Sequence, residues 1–172
     1  MNRILFLLLV LLLAQNRWST AAEVTENEGD FKYQVPPDWT VEKPDGEQYR
    51  AVVGRNSDGK PANAHFYVER FAGSLRQFAT AYFEQSAPVT AARGVKNFEV
   101  GNLSDFTSRS GLIGLRAVAR GTFDGIAGKE HIYFFDLGSG RKVMAVCAFP
   151  KDEIGYGDIF DSMMFTLTRS GG

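Results

Sequence analysis

Imidazole chemistry in this 172-residue chain rests on two residues, His65 and His131, and thiol chemistry on one, Cys147. The two histidines fall on different predicted strands, and neither sits in a His-x-x-x-His or Cys-x-x-Cys spacing that would hold a metal. They are metal candidates only because the chain has no other imidazole, and the sequence assigns no metal site, no catalytic residue and no cofactor. Tyr67 and Tyr133 each stand two residues from a histidine, so they are the candidate binding residues. If their strands paired, they would form a mixed aromatic and imidazole strip. Cys147 lies in the run Val143 to Phe149, small or apolar on both faces, which is the setting of a buried core thiol rather than an activated one.

Other apparent motifs dissolve on inspection. Ser139-Gly140-Arg141-Lys142 has Ser-x-x-Lys spacing, but that chemistry needs the serine at a helix start with companion motifs, and this serine sits between glycines in a hairpin turn. Gly155-Tyr156-Gly157 lacks the third glycine and the lysine of a phosphate loop. Asp38, Asp45, Glu47 and Asp58 all lie in predicted turns, where acids are ordinary solvated turn formers. Asn102-Leu103-Ser104 is a glycosylation sequon that matters only in a glycosylating host.

The elements that must position these residues follow from periodicity. Leu112 to Phe123 alternates Ile113, Leu115, Ala117 and Ala119 with Arg116 and Arg120, the period of a half-buried antiparallel strand. It is the second of four predicted strands, Asn97–Thr107, Leu112–Phe123, Lys129–Leu137 and Lys142–Phe149, joined by Gly-containing turns short enough to force antiparallel neighbours. The last two are apolar on both faces, which predicts a central position covered on both sides. Upstream, Phe31–Val35 and Trp39–Glu42 flank Pro36-Pro37 and read as a hairpin with an awkward corner. Tyr49–Arg55 and Asn63–Phe71 follow as strands around the Asp58-Gly59 turn.

At Gly73 the period changes. Ser74 and Gln77 form a capping box, and Leu75, Phe78, Ala79, Tyr82 and Phe83 recur at helical spacing. The helix should end before Pro88, because the residue preceding a proline is pushed out of helical geometry. Asp158 is placed to cap a short final helix that turns Ile159, Phe160, Met163 and Met164 inward.

The N-terminus reads as a secretory signal over residues 1–22. Arg3 gives a positive start, Ile4 to Ala14 is eleven apolar residues, and Ser19-Thr20-Ala21-Ala22 offers small residues for cleavage after Ala22, with Ala21 as the alternative. Eleven apolar residues fall short of the roughly 20 that span a bilayer. Residues 23–30 read as a flexible lead-in and 31–170 as one α+β domain. Without the leader, 17 basic and 20 acidic residues leave a net charge of −3. That balance carries no basic stripe for nucleic acid and no polybasic membrane anchor.

Val35-Pro36-Pro37-Asp38-Trp39 resembles the Pro-x-x-Trp corner of the PsbP-like proteins. Ala145-Val146-Cys147-Ala148-Phe149-Pro150 followed by Ile159-Phe160-Asp161-Ser162-Met163-Met164-Phe165 resembles that family's ending, and the element order from about residue 30 to 168 is similar. The family includes the extrinsic subunit of photosystem II and bacterial relatives, and the yeast nuclear-import factor that binds Ran has the same fold. The resemblance implies an antiparallel sheet with flanking helices, in the order hairpin-β-β-α-β-β-β-β-α, and a non-enzymatic accessory or binding role toward a protein partner. The start of the sequence reads as a secretory leader rather than the chloroplast transit peptide of the plant subunit, such a leader does not suit a Ran partner, and no metal- or partner-contacting residue carries over. The expectation is therefore an extracytoplasmic domain, periplasmic or secreted, that binds a protein. Two alternatives stay open: a small hydrolase or metal-dependent enzyme, and a small-ligand carrier with a pocket between sheet and helix. Neither the partner nor the oligomeric state is written in the sequence.

Overall fold

The computed structural model describes residues 21–43, 49, 51–55, 61–92 and 94–171. The predicted leader lies outside these residues except for Ala21 and Ala22. In chain order the strands are β1 (Ala22–Glu26), β2 (Phe31–Val35), β3 (Thr40–Glu42), β4 (Ala51–Arg55), β5 (Pro61–Arg70), β6 (Lys96–Val100), β7 (Ser104–Thr107), β8 (Ile113–Phe123), β9 (Ile126–Gly138), β10 (Arg141–Pro150) and β11 (Thr168–Arg169). The helices are α1 (Leu75–Ala92), between β5 and β6, and α2 (Tyr156–Phe165), between β10 and β11. Among the described residues, eight strands form a main antiparallel sheet in the order β3-β4-β5-β10-β9-β8-β6, with β7 pairing β8 beside β6, and β1-β2-β11 form a second, small sheet. The expected α+β class and antiparallel sheet with flanking helices are borne out.

The central pair sets the layering. Ile132, Tyr133, Phe134 and Phe135 of β9 are all completely buried, as are Val143 and Ala145 of β10. Successive side chains point to opposite faces, so this pair must be covered twice. On one face α1 lays Phe78, Tyr82 and Phe83 around Phe134, with ring centroids 5.9, 5.8 and 5.6 Å away and edges meeting faces. On the other, the small sheet and α2 enclose Phe31, Tyr33, Phe66, Tyr133, Phe135 and Phe160. Trp39 lies flat on Gly54, where a Cβ would come within 2.1 Å of the indole, and presents its ring to Tyr156 and Phe160.

Several local readings are corrected. Residues 23–30 are not a flexible lead-in: β1 pairs with β2 along its whole length and buries Val24 and Glu26. No alternation longer than five residues marked it. Strands β2 and β3 do not pair with one another, because the Pro36-Pro37 corner carries the chain from the small sheet to the main one. Helix α1 runs through Pro88 to Ala92. The carbonyl that the missing N–H leaves without a donor is that of Glu84, exposed like the proline, so the helix continues with that carbonyl on its solvent side. The predicted strand Asn97–Thr107 is split into β6 and β7, both on β8. Helix α2 starts two residues before Asp158, with Gly155 as N-cap at φ 96°, a conformation glycine adopts without penalty.

The capping box at α1 forms as read: the Ser74 amide donates to Gln77 Oε1 at 2.8 Å and the Gln77 amide to Ser74 Oγ at 3.2 Å. Phe78 sits almost wholly buried against Phe134 and Phe71. Phe78→Ala should cost about 3–5 kcal/mol through lost transfer energy and a residual cavity. Urea unfolding checks this, and a loss below about 1 kcal/mol would mean that α1 is not seated on the sheet.

Candidate functional site

The register decides where the two histidines go. His65 lies opposite Val146 on β10, and Val146 opposite Ile132 on β9, whereas His131 lies opposite Cys147, and Cys147 opposite Ala64. Adjacent residues of a strand point to opposite faces. His65 and Tyr67 therefore share the α1 face, His131 and Tyr133 share the α2 face, and β10 separates β5 from β9. The structure keeps each tyrosine with its own histidine and brings neither pair to the other. Among the described residues, no group of three or more His, Cys, Asp or Glu side chains is placed to hold a metal ion.

On the α2 face, three elements converge on one carboxylate. Strand β8 supplies Arg116, whose Nη1 donates to Asp161 Oδ2 at 2.9 Å, and β9 supplies Tyr133, directly opposite Arg116 in the ladder, whose hydroxyl donates to Asp161 Oδ1 at 2.5 Å. His131 Nδ1 stands 3.3 Å from the Tyr133 oxygen and 3.8 Å from Asp161 Oδ1, and its ring meets Phe149 edge-on at 5.2 Å. Since the phenol proton is given to Asp161, Nδ1 serves as donor to the phenol oxygen, which fixes the tautomer. Gly157 lets the first turn of α2 close onto the imidazole; a Cβ there would lie 2.7 Å from His131 Cε1.

The electrostatics make this a clamp. Burial drives the Tyr133 phenol far above its ordinary value, with Cys147 and Asp161 adding to the push. The Cys147 thiol is likewise raised, by burial first and then by Asp161 and Glu130. Burial also pulls the Asp161 carboxyl upward, but His131, the Tyr133 hydroxyl and Arg116 together outweigh it and hold the group below the usual carboxylate range. A neutral phenol, a neutral thiol and an ion-paired carboxylate offer no nucleophile at neutral pH. The phenol and the carboxylate spend their hydrogen bonds within the cluster, on Arg116 Nη1, His131 and each other, and what the arrangement does is fix α2 on the sheet.

Two surfaces remain. Beside β2, the outer flank of α2 borders an open groove of about 350 Å³ lined by Val35, Pro36, Ile159 and Met163, with Gln34 and Asp158 at its edge. Asp161 points away from it, toward β8. On the far side of the main sheet, α1 lies mainly over β6, β8 and β9. A helix about 10 Å wide covers roughly two strands spaced about 4.8 Å apart. The same face of β10, β5 and β4 is thus left partly open, with Val146, His65, Asn63 and Val53 half-buried and Tyr67 37% exposed.

No protein-family model and no curated protein matches the sequence. Solved structures do match by shape. Cyanobacterial PsbP (CyanoP) from Synechocystis sp. PCC 6803 superposes with a TM-score of 0.65 at 10% identity, over 90% of this chain and 95% of that one. The chain has the PsbP-like fold. LpqN of Mycobacterium tuberculosis, a protein involved in cell envelope biogenesis, gives 0.57 at 13% identity over 88% of this chain and 86% of its own. The Saccharomyces cerevisiae Ran-binding protein Mog1p gives 0.58 at 13% identity over 88% and 96%. At such identities the PsbP-like likeness is one of fold.

Sequence reasoning missed Arg116, Asp161 and Glu130. Arg116 falls by alternation on the polar face of a half-buried strand, which does not single it out, and nothing local marks Asp161, whose partners lie 28 and 45 positions away in the chain. Asp161→Asn should destabilise the protein by about 1–3 kcal/mol, because Arg116 and the Tyr133 hydroxyl lose a charged acceptor. The carboxylate's folded pKa is lowered from 3.8, so the stability it adds is present above that pH and lost as pH falls through the depressed folded value. Asp136 acts in the same acidic window, held low by Lys142 and the Gly138 amide against the upward push of burial. Acid titration of thermal unfolding should accordingly show a shallower loss below about pH 4 in Asp161→Asn than in the parent, and identical acid limbs would show that the clamp does not form.

Proposed function

We propose that this chain is an exported, non-enzymatic binding domain that engages a protein partner through the open part of the α1-side sheet face, around His65 and Tyr67. The observation that carries the reading is the uneven cover of the main sheet. Its other face is enclosed by the small sheet and α2, its own half under α1 is packed, and a large aromatic, Tyr67, stands exposed where the helix stops. Tyrosine in that setting offers apolar ring area at small entropic cost, as binding surfaces require. Proteins of this fold include one described as Ran-binding, and the residues with the most chemistry, around Asp161, are engaged with one another. The export half of the proposal rests on the leader sequence. Among the described residues no helix is long and apolar enough to cross a membrane.

A second reading, a small-ligand carrier, draws on the groove between β2 and α2. Its volume is at the lower end for ligand sites of about 300–1,000 Å³, and it is open rather than enclosing. The binding-domain reading therefore ranks first.

A photocrosslinking residue placed at Tyr67 should give a discrete protein adduct in an exporting host, while the same residue at Ile159 gives none. Adducts from position 159 alone would transfer the function to the groove. The mass of the exported chain should correspond to a first residue at Glu23, and a product retaining Ile4 to Ala14 would refute export by a cleaved leader.

A further inference from the structure

On the α1 face, Glu130 of β9 stands opposite Ala119 of β8 and Ala148 of β10. Its neighbours along the strand are Gly128 and Ile132, and its diagonal neighbours on that face are Ala117, Gly121, Val146 and Pro150. Not one of the eight carries a charge or a side-chain donor. Among the described residues nothing pairs with the carboxylate, and burial alone holds its carboxyl above the ordinary range. A carboxylate in so apolar a ring is costly unless a cation or donor reaches it.

The ring also has room on one side. Ala119 is fully buried, but Ala148 is half-exposed, and across it stands Asn63, half-exposed on β5, with His65 one row along. Two strand spacings place the Glu130 and Asn63 backbones roughly 10 Å apart. That gap, floored by the methyl of Ala148, suits a flat group that donates a hydrogen bond to each side. A guanidinium fits better than an ammonium. It is planar, weakly hydrated and able to face a carboxylate with two parallel N–H groups, and it stacks on flat rings such as His65.

We propose that this hollow receives the guanidinium of an arginine side chain presented by the partner protein, with Glu130 as its counter-ion and Asn63 as a second acceptor. The proposal rests on reading this face as the partner surface, and it supplies the partner's chemistry: charge complementarity requires a basic side chain where Glu130 has none of its own.

The test needs no partner. Butylguanidinium chloride is titrated into the mature protein and followed by amide NMR, with butanol and butylammonium chloride as comparison probes. Expected are saturable shifts confined to Asn63, His65, Val146 and Ala148, weakened about tenfold in Glu130→Gln, the loss of one charge-assisted bond. They should vanish in Ala148→Val, which fills the floor. Neither butanol nor butylammonium should match the guanidinium. Glu130→Gln should melt no lower than the parent, since it removes an uncompensated charge, so weakened binding cannot be ascribed to unfolding. Absence of saturable shifts, equal affinity in Glu130→Gln, or equal affinity for butanol would overturn the site, and equal affinity for butylammonium would overturn the choice of guanidinium. Each of these failures would leave a crosslink at Tyr67 standing, whereas guanidinium binding without any Tyr67 adduct would overturn the partner surface instead.

Discussion

Everything in this structure answers to one constraint, that β9 and β10 are apolar on both faces and must be dried twice. Two covers are needed, and they come from different parts of the chain. The α1 side is covered by a single amphipathic helix inserted between β5 and β6. The other side is covered by both ends of the described chain, β1 and β2 from the start, α2 and β11 from the finish. The Pro36-Pro37 corner belongs to the same solution, since it moves the chain from one layer to the other where neither proline has a ladder bond to lose. Trp39 then closes the layers by lying on Gly54 beneath Tyr156 and Phe160.

Apolar burial is non-directional and would allow α2 to slide or rotate on its bed. The Arg116–Asp161–Tyr133 clamp is directional. It ties one point of the helix to two adjacent strands, and the His131 ring under Gly157 fixes a second point one turn earlier. Burying these groups gains little net stability, but leaving any one unpaired would be costly. The most chemically suggestive constellation in the molecule is thus a device for position.

How much of this was legible follows from the range of each interaction. The capping box at Ser74 and Gln77, the Gly-containing turns between β8, β9 and β10 and the doubly apolar β9 and β10 are local patterns, and all three were read from the residues alone. Strand β1 was not, because its burial depends on β2 beside it rather than on its own pattern. Pro88 misled because the rule that ends helices there yields where the proline and the Glu84 carbonyl it leaves without a donor lie on the exposed side of the helix. At the candidate sites, parity along each strand was visible, so Tyr67 with His65 and Tyr133 with His131 followed. That β5 abuts β10 rather than β9 is a matter of sheet order, and that the two histidines fall on opposite faces is a matter of register across β10; no local pattern encodes either.

The same reasoning says where function can differ among proteins of one fold. A PsbP-like fold shared with CyanoP, LpqN and Mog1p at 10–13% identity needs only that the doubly covered strands stay apolar and the covers stay amphipathic. Residues such as Phe134 and Phe160 are bound by packing on every side, and any change there is felt through the core. The part of the sheet that α1 is too narrow to cover has no such obligation. Its floor must remain small or apolar enough to sit in a strand, but the groups standing on it, Asn63, His65 and Tyr67, answer less to the core, and Glu130 of β9 stands at its border. Glu130, which no described residue pairs, is the group there for which the proposed partner would supply the counter-ion.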